Sequence, residues 1–143
     1  MPPEYVPSPS KFTANHVERY LATGGEDGFQ MNGIECVVLT TVGRKSGALR
    51  RSPVVRVVDG DRYLVVGSMG GAPQHPEWYL NLLDNPAVTV QDRDRVFDMT
   101  ARIATGEEYE RLWQVAVAAY PDYAEYQTRT TRQIPVVVCE KRG

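Results

Sequence analysis

Six short stretches of this chain carry β-branched or loosely alternating apolar residues, the pattern of strands, and four others place apolar residues at helical spacing. The strand-like runs are Glu35 to Val42, Leu49 to Val58, Arg62 to Gly67, Ala87 to Gln91, Val96 to Ala104 and Ile134 to Glu140. Asp59-Gly60-Asp61 reads as a hairpin turn between the second and third. Pro53 cannot donate a ladder hydrogen bond, so its strand is expected at an edge or with a bulge. Phe12, Val17, Tyr20 and Leu21 give an amphipathic helix from Lys11 to Thr23, stopped by Gly24-Gly25. A second helix starts at Pro76 and ends before Asn85-Pro86. A third runs from Gly106 to Ala119, with Tyr109, Leu112, Trp113, Ala116 and Val117 on its apolar side, and a short aromatic one follows Tyr120-Pro121. Short strands joined by turns, with a few flanking helices, predict a mainly β fold, a small and mostly antiparallel barrel.

The length of 143 residues suits one domain spanning residues 1–143, in which the tail and helix of residues 1–24 pack on the barrel or over its mouth. The first residues lack a basic stretch followed by an apolar one. The expectation is therefore a cytoplasmic protein without a transmembrane segment, in touch with the inner face of the membrane only peripherally if at all. Cys36 and Cys139 each lie in an apolar run without a neighbouring ligand, and His16 and His75 are the only histidines. Buried strand cysteines and no metal site are expected.

Charge is unevenly spread. Between Cys36 and Val58 stand Arg44, Lys45, Arg50, Arg51 and Arg56 with no carboxylate, although the whole chain is net −2. A basic island on an acidic body points to one localised anionic ligand and away from a nucleic-acid groove.

Three constellations could carry chemistry. In Thr40-Thr41-Val42-Gly43-Arg44-Lys45-Ser46-Gly47, followed by Arg50-Arg51, two glycines could aim backbone amides into an anion nest, and the cations suit phosphate oxygens. The spacing is not that of a P-loop. In Gly67-Ser68-Met69-Gly70-Gly71-Ala72-Pro73, small residues before a helix let a planar or phosphorylated ligand approach the backbone. In the helix that follows, Trp78, Leu82 and Leu83 read as core, while Asn81 needs a polar partner if buried. Tyr120, Tyr123 and Tyr126 share one broad helix face, able to stack a flat substrate and donate a proton to it; sealing a barrel end explains them equally well.

Together, LTTVGRKSG, GSMGGAPQHPEWYLNLLDNP and YPDYAEYQTRTTRQIPVVVCE resemble the hallmark segments of the deazaflavin-dependent nitroreductases of actinobacteria, whose fold is the split β-barrel of FMN-binding proteins. The resemblance implies an oxidoreductase that uses coenzyme F-420 as hydride donor to a small-molecule acceptor: a quinone, nitroaromatic or conjugated carbonyl. It implies that Arg44, Lys45, Ser46 and Gly47 with Arg50 hold the cofactor's phosphate and polyglutamate tail. Ser68, Gly70, Gly71 and Ala72 would lie along the deazaflavin with Trp78 and Asn81 behind it, and Tyr120, Tyr123 and Tyr126 would line the acceptor pocket. Met69 stands where better-known members carry lysine, with Arg51 or Arg56 as substitutes for that cation. An FMN- or haem-binding split-barrel protein and a non-catalytic F-420 carrier are the competing readings, and a monomer or weak homodimer is expected.

Overall fold

In the sheet that forms, both faces of several strands are covered, which accounts for their nearly continuous apolar sequence. The computed structural model describes residues 5–31 and 33–142; the first four residues of the expected tail lie outside them. The elements are α1 (Lys11–Ala22), β1 (Gln30–Met31), β2 (Ile34–Val42), β3 (Leu49–Val55), β4 (Val57–Asp59), β5 (Arg62–Val66), α2 (Glu77–Asp84), β6 (Ala87–Asp92), β7 (Arg95–Ile103), α3 (Gly106–Ala119), α4 (Asp122–Thr128) and β8 (Val136–Lys141). A single 3-10 turn, Met69–Gly71, lies between β5 and α2.

The strands run β1-β2-β6-β7-β8-β5-β4, with β3 paired to β2, and the ladders between named strands are antiparallel. Alternate residues serve two cores. Val37, Leu39, Tyr63, Val65, Val137 and Cys139 point into the barrel with Leu82, Val88, Val90 and Met99. Their neighbours Leu64, Val66, Val136 and Val138 turn outward beneath Tyr109, Leu112 and Ala116 of α3 and Tyr123 of α4. The helix α1 caps a third, smaller cluster by laying Val17 and Tyr20 on Val38. It therefore packs on the barrel wall. The Tyr20 hydroxyl anchors it, donating to the Cys36 carbonyl (3.0 Å) and accepting from the Arg93 amide (2.8 Å).

Four expectations need correction. Six runs become eight strands, because the hairpin β1 is too short to show periodicity and because the run from Leu49 to Val58 breaks at Arg56. There the chain changes partner, from β2 for β3 to β5 for β4, and the Arg56 side chain leaves for the buried Asp92 (3.0 Å). Pro76 occupies the N-cap of α2 and not its first turn, and Ile134 precedes the last strand, its amide donating to the side chain of Gln127 (2.9 Å). Phe12 and Leu83, expected on buried faces, are exposed. Pro53 does lie on an edge: β2 is the one strand paired to β3 among the described residues.

Candidate functional site

The β2–β3 turn closes through its own backbone. Gly43 N–H donates to the Ala48 carbonyl (2.7 Å), and Gly47 N–H to the Gly43 carbonyl (2.8 Å). Ala48 N–H donates to Ser46 Oγ (3.1 Å) and Arg44 N–H to Asn81 Oδ1 (3.1 Å). Gly47 takes positive φ, whereas Gly43 does not. The Gly43, Gly47 and Ala48 N–H groups are thus used inside the turn and that of Arg44 on Asn81, so the cationic surface is made chiefly by side chains. Asn81, buried on α2, completes its bonding through Nδ2 to Thr41 Oγ1 (3.2 Å) and so pins the turn to the helix.

Above this turn lies a groove of about 370 Å³. It brings together Arg44, Lys45, Ser46, Arg50, Arg51, Trp78 and Asn81, while Gly47 stays at the turn's apex outside the lining. Sequence reasoning missed Ser8, Pro9, Ser52 and Glu77, which also line it. Glu77 sits 3.3 Å from Arg44, and the Arg51 guanidinium stacks 4.3 Å from the centre of the Tyr5 ring. Lys45 and Arg50 form no ion pair among the described residues. Arg56 belongs elsewhere. It is held by Asp92 and Glu35, so it cannot substitute for a missing tail contact.

Trp78 also borders a second cavity of about 290 Å³. Its walls are mostly apolar: Met31 and Ile34 of the β1–β2 hairpin, Cys36, Pro53, Val54, Val55, Val66 and Pro76, with Ser68 and Met69 at the glycine loop. The remaining side is Tyr120, Tyr123 and Tyr126. Tyr120 is the C-cap of α3 and the other two lie on α4, so an Ala119-to-Asp122 bend converts sequence spacing into three rings meeting edge to face at 4.9–6.4 Å. The hydroxyls of Tyr120 and Tyr126 bond to each other. That of Tyr123, on a ring only 3% exposed, has no hydrogen-bond partner among the described residues. Burial, and then its two tyrosine neighbours, push the Tyr123 pKa up; the bond to Tyr126 and then burial push up that of Tyr120. Both therefore stay protonated at neutral pH.

The glycine loop divides its residues between two tasks. Ser68 and Met69 face the cavity, Met69 with positive φ and its side chain exposed, and Gly70 opens to free space. Gly71 and Ala72 turn away from it. A Cβ on Gly71 would lie 2.6 Å from the Tyr126 carbonyl oxygen, and the Ala72 carbonyl accepts from Arg132 (2.9 Å). A third, more open depression of about 660 Å³, beside α1, is lined by Glu26, Asp27 and Asp94 as well as Arg93. Its carboxylates oppose an anionic ligand. Among the described residues no three His, Cys, Asp or Glu side chains gather at one point, and no helix is long and apolar enough to cross a membrane.

A cationic groove joined at one indole to an apolar, tyrosine-walled cavity suits an elongated ligand with an anionic tail and a flat head. The family model described as F420H(2)-dependent quinone reductase matches residues 12–141. An F420H(2)-dependent quinone reductase of Mycobacterium tuberculosis is 37% identical over 131 residues, covering 89% of this chain and 88% of the relative. A solved F420-H2 dependent reductase (FDR-A) is 53% identical with a TM-score of 0.70, over 73% of this chain and 93% of that one. A solved structure described as a domain-swapped dimer is 47% identical with a TM-score of 0.73, over 93% of this chain and all of the other. The fold alone extends further, to a pyridoxamine 5'-phosphate oxidase-like protein of Listeria innocua (15% identity, TM-score 0.51, over 76% of this chain and 84% of that one). The split barrel expected from the sequence is thus the fold observed.

Proposed function

The chain belongs to the F420H(2)-dependent quinone reductase family, and from that premise we propose that it reduces a quinone-type acceptor with reduced coenzyme F-420, using the groove and cavity that meet at Trp78. The observation that carries the reading is this junction of two chemically opposite spaces. Lys45 and Arg50, free of acidic partners among the described residues, with Arg51 and the Glu77-tethered Arg44, present a cationic cradle for the anionic tail. Trp78, Ser68 and Met69 border the space open to a planar ring. When bound, the reduced deazaflavin supplies the hydride; the chain supplies position, dryness and charge.

No side chain acts as a nucleophile in this reading. The apolar walls exclude water, which strengthens any hydrogen bond made inside. Of the wall's three tyrosines, Tyr123 is the one whose hydroxyl has no hydrogen-bond partner among the described residues, leaving it to meet an acceptor oxygen on which negative charge develops. Of the Tyr120–Tyr126 pair, whichever hydroxyl accepts keeps its own proton free for the acceptor or for water. Quinones fit because their reduction places charge on oxygens that such donors can meet. Nitroaromatics and conjugated carbonyls extend the acceptor range on the same physical ground. The protein works in the cytoplasm, with no more than peripheral contact with the membrane, as a monomer or weak homodimer.

Titration of the purified protein with F-420, followed by fluorescence, tests the first half. An acceptor panel of quinones, enones and nitroaromatics with the reduced cofactor tests the second. Binding without turnover of any quinone would leave a carrier and sink the reductase reading; tighter binding of FMN than of F-420 would sink the cofactor assignment.

A further inference from the structure

Arg132 stands on the short link between α4 and β8, and its guanidinium reaches back across more than fifty residues of sequence. Nε donates to the Ala72 carbonyl (2.9 Å), Nη1 to that of Gly67 (3.0 Å) and Nη2 to that of Ser68 (2.9 Å). Nη1 also meets His75 Nδ1 (3.3 Å). One planar fork therefore holds three carbonyls and an imidazole of the loop that borders the cavity. Arg132 has no ion pair among the described residues. Five N–H donors in fixed geometry explain why arginine occupies this place.

The other end of the same link is tied to the aromatic wall. Gln127 of α4 donates through Nε2 to the Arg132 carbonyl (2.8 Å) and accepts at Oε1 from the Ile134 amide (2.9 Å). Gln127 directly follows Tyr126. On the opposite side of the loop, Gly71 rests against the Tyr126 carbonyl with no space for a side chain. Wall and loop are thus joined twice, at Gly71 and through Arg132. Burial, and then the guanidinium beside it, lower the His75 pKa; since a guanidinium can only donate, Nδ1 is the acceptor of the contact with Arg132.

We propose that Arg132 is a positioning residue that sets the distance between the Gly67–His75 loop and the tyrosine wall, and so the alignment of hydride donor and acceptor. The inference rests on the reductase reading above. Arg132 itself lines neither the groove nor the cavity; of the cavity's lining it meets Ser68 through that residue's carbonyl, and it acts through the loop carbonyls. Its loss should therefore leave tail binding by Lys45 and Arg50 in place while the geometry of transfer loosens. A misplacement near 1 Å costs on the order of 10²-fold in rate.

The test uses Arg132→Gln and Arg132→Lys beside the parent. Without cofactor, amide exchange of residues 67–72 should quicken in Arg132→Gln, and the His75 ring resonances should titrate at higher pH once the neighbouring charge is gone. With cofactor, the F-420 dissociation constant should change less than about threefold, whereas single-turnover hydride transfer to a quinone should fall on the order of 10²-fold. Arg132→Lys keeps the charge but cannot span four acceptors, so it should recover part of the rate. If Arg132→Gln fails to fold, the lysine variant alone carries the split between affinity and rate. Parental transfer rates in both folded variants, or a loss of rate matched by an equal loss of affinity, would overturn the proposal. A parent protein that binds no F-420 would instead defeat the reductase reading.

Discussion

Tyr120 and Tyr126 stand with their hydroxyl oxygens 3.1 Å apart, six residues apart in sequence and on either side of a helix boundary. Their mutual bond leaves Tyr123 as the wall's unengaged hydroxyl. Tyr123→Phe should accordingly keep fold and F-420 affinity while quinone turnover falls by about 10²-fold, the usual effect of losing one donor to a developing oxyanion. Tyr120→Phe and Tyr126→Phe should each cost less, because the surviving partner still offers an O–H. Steady-state kinetics on the three variants checks the order; equal, undiminished turnover in all of them would make the wall structural.

The groove should reveal itself by charge. Arg44→Ala and Lys45→Ala are each expected to weaken F-420 binding by about 1.5–3 kcal/mol, the value of a hydrogen bond to a charged group. Thermal stability should barely move for Lys45→Ala, an exposed turn cation, and little for half-buried Arg44→Ala, whose ion-pair partner Glu77 is itself exposed. Parental affinity should decline as salt rises. Glu77→Gln should act in the opposite direction, since it releases Arg44 from its carboxylate partner 3.3 Å away. Isothermal titration at two salt concentrations separates these outcomes.

Gly71→Ala addresses the contact between loop and wall. At φ +83 a Cβ is disfavoured by roughly 1–2 kcal/mol. It would also lie 2.6 Å from the Tyr126 oxygen, so the loop or α4 must shift. A lower melting temperature together with slower turnover is expected. Gly70→Ala is its control, because a Cβ there meets open space although φ is also positive; it should cost only the backbone term. Equal damage from both would show that the close approach at Gly71 is unimportant.

Asp92 gives a prediction about acid. It is 2% exposed, and burial by itself would raise its pKa. Hydrogen bonds from Tyr63 and Arg56, with the charges of Arg56 and Arg93, hold it below the ordinary aspartate range instead. A pKa lowered on folding contributes stability that is complete above the unfolded value, near 3.9, and vanishes as pH falls through the folded one. Denaturant unfolding should therefore show the parent losing stability below about pH 5. Asp92→Asn should cost about 3–5 kcal/mol at neutral pH, as when one partner of a buried pair is removed, and should flatten the acid slope. An unchanged slope would mean that other carboxylates govern acid unfolding.

Much of the barrel is legible locally. Val136 to Cys139 is all apolar because alternate side chains enter two different cores, and each strand of this kind announces itself within a few residues. Turns are equally local, as at Gly47, where positive φ suits glycine. The basic island and the tyrosine spacing come from short windows too. With the resemblance of three segments, they mark the cationic groove residues and the aromatic wall.

What only the folded chain decides is how distant side chains share their charges. Arg56 looks like every other cation of the island until β6 brings Asp92 beneath it, and Arg44 looks free until α2 sets Glu77 beside it. Arg132 sits sixty residues from Ala72, and no local periodicity marks it as the clasp of the glycine loop. Trp78 likewise reads as core, yet it is the wall common to groove and cavity. The physical reason is the same throughout: periodicity records which side of an element is buried, whereas ion pairs and cavities are made between elements whose meeting depends on the whole topology.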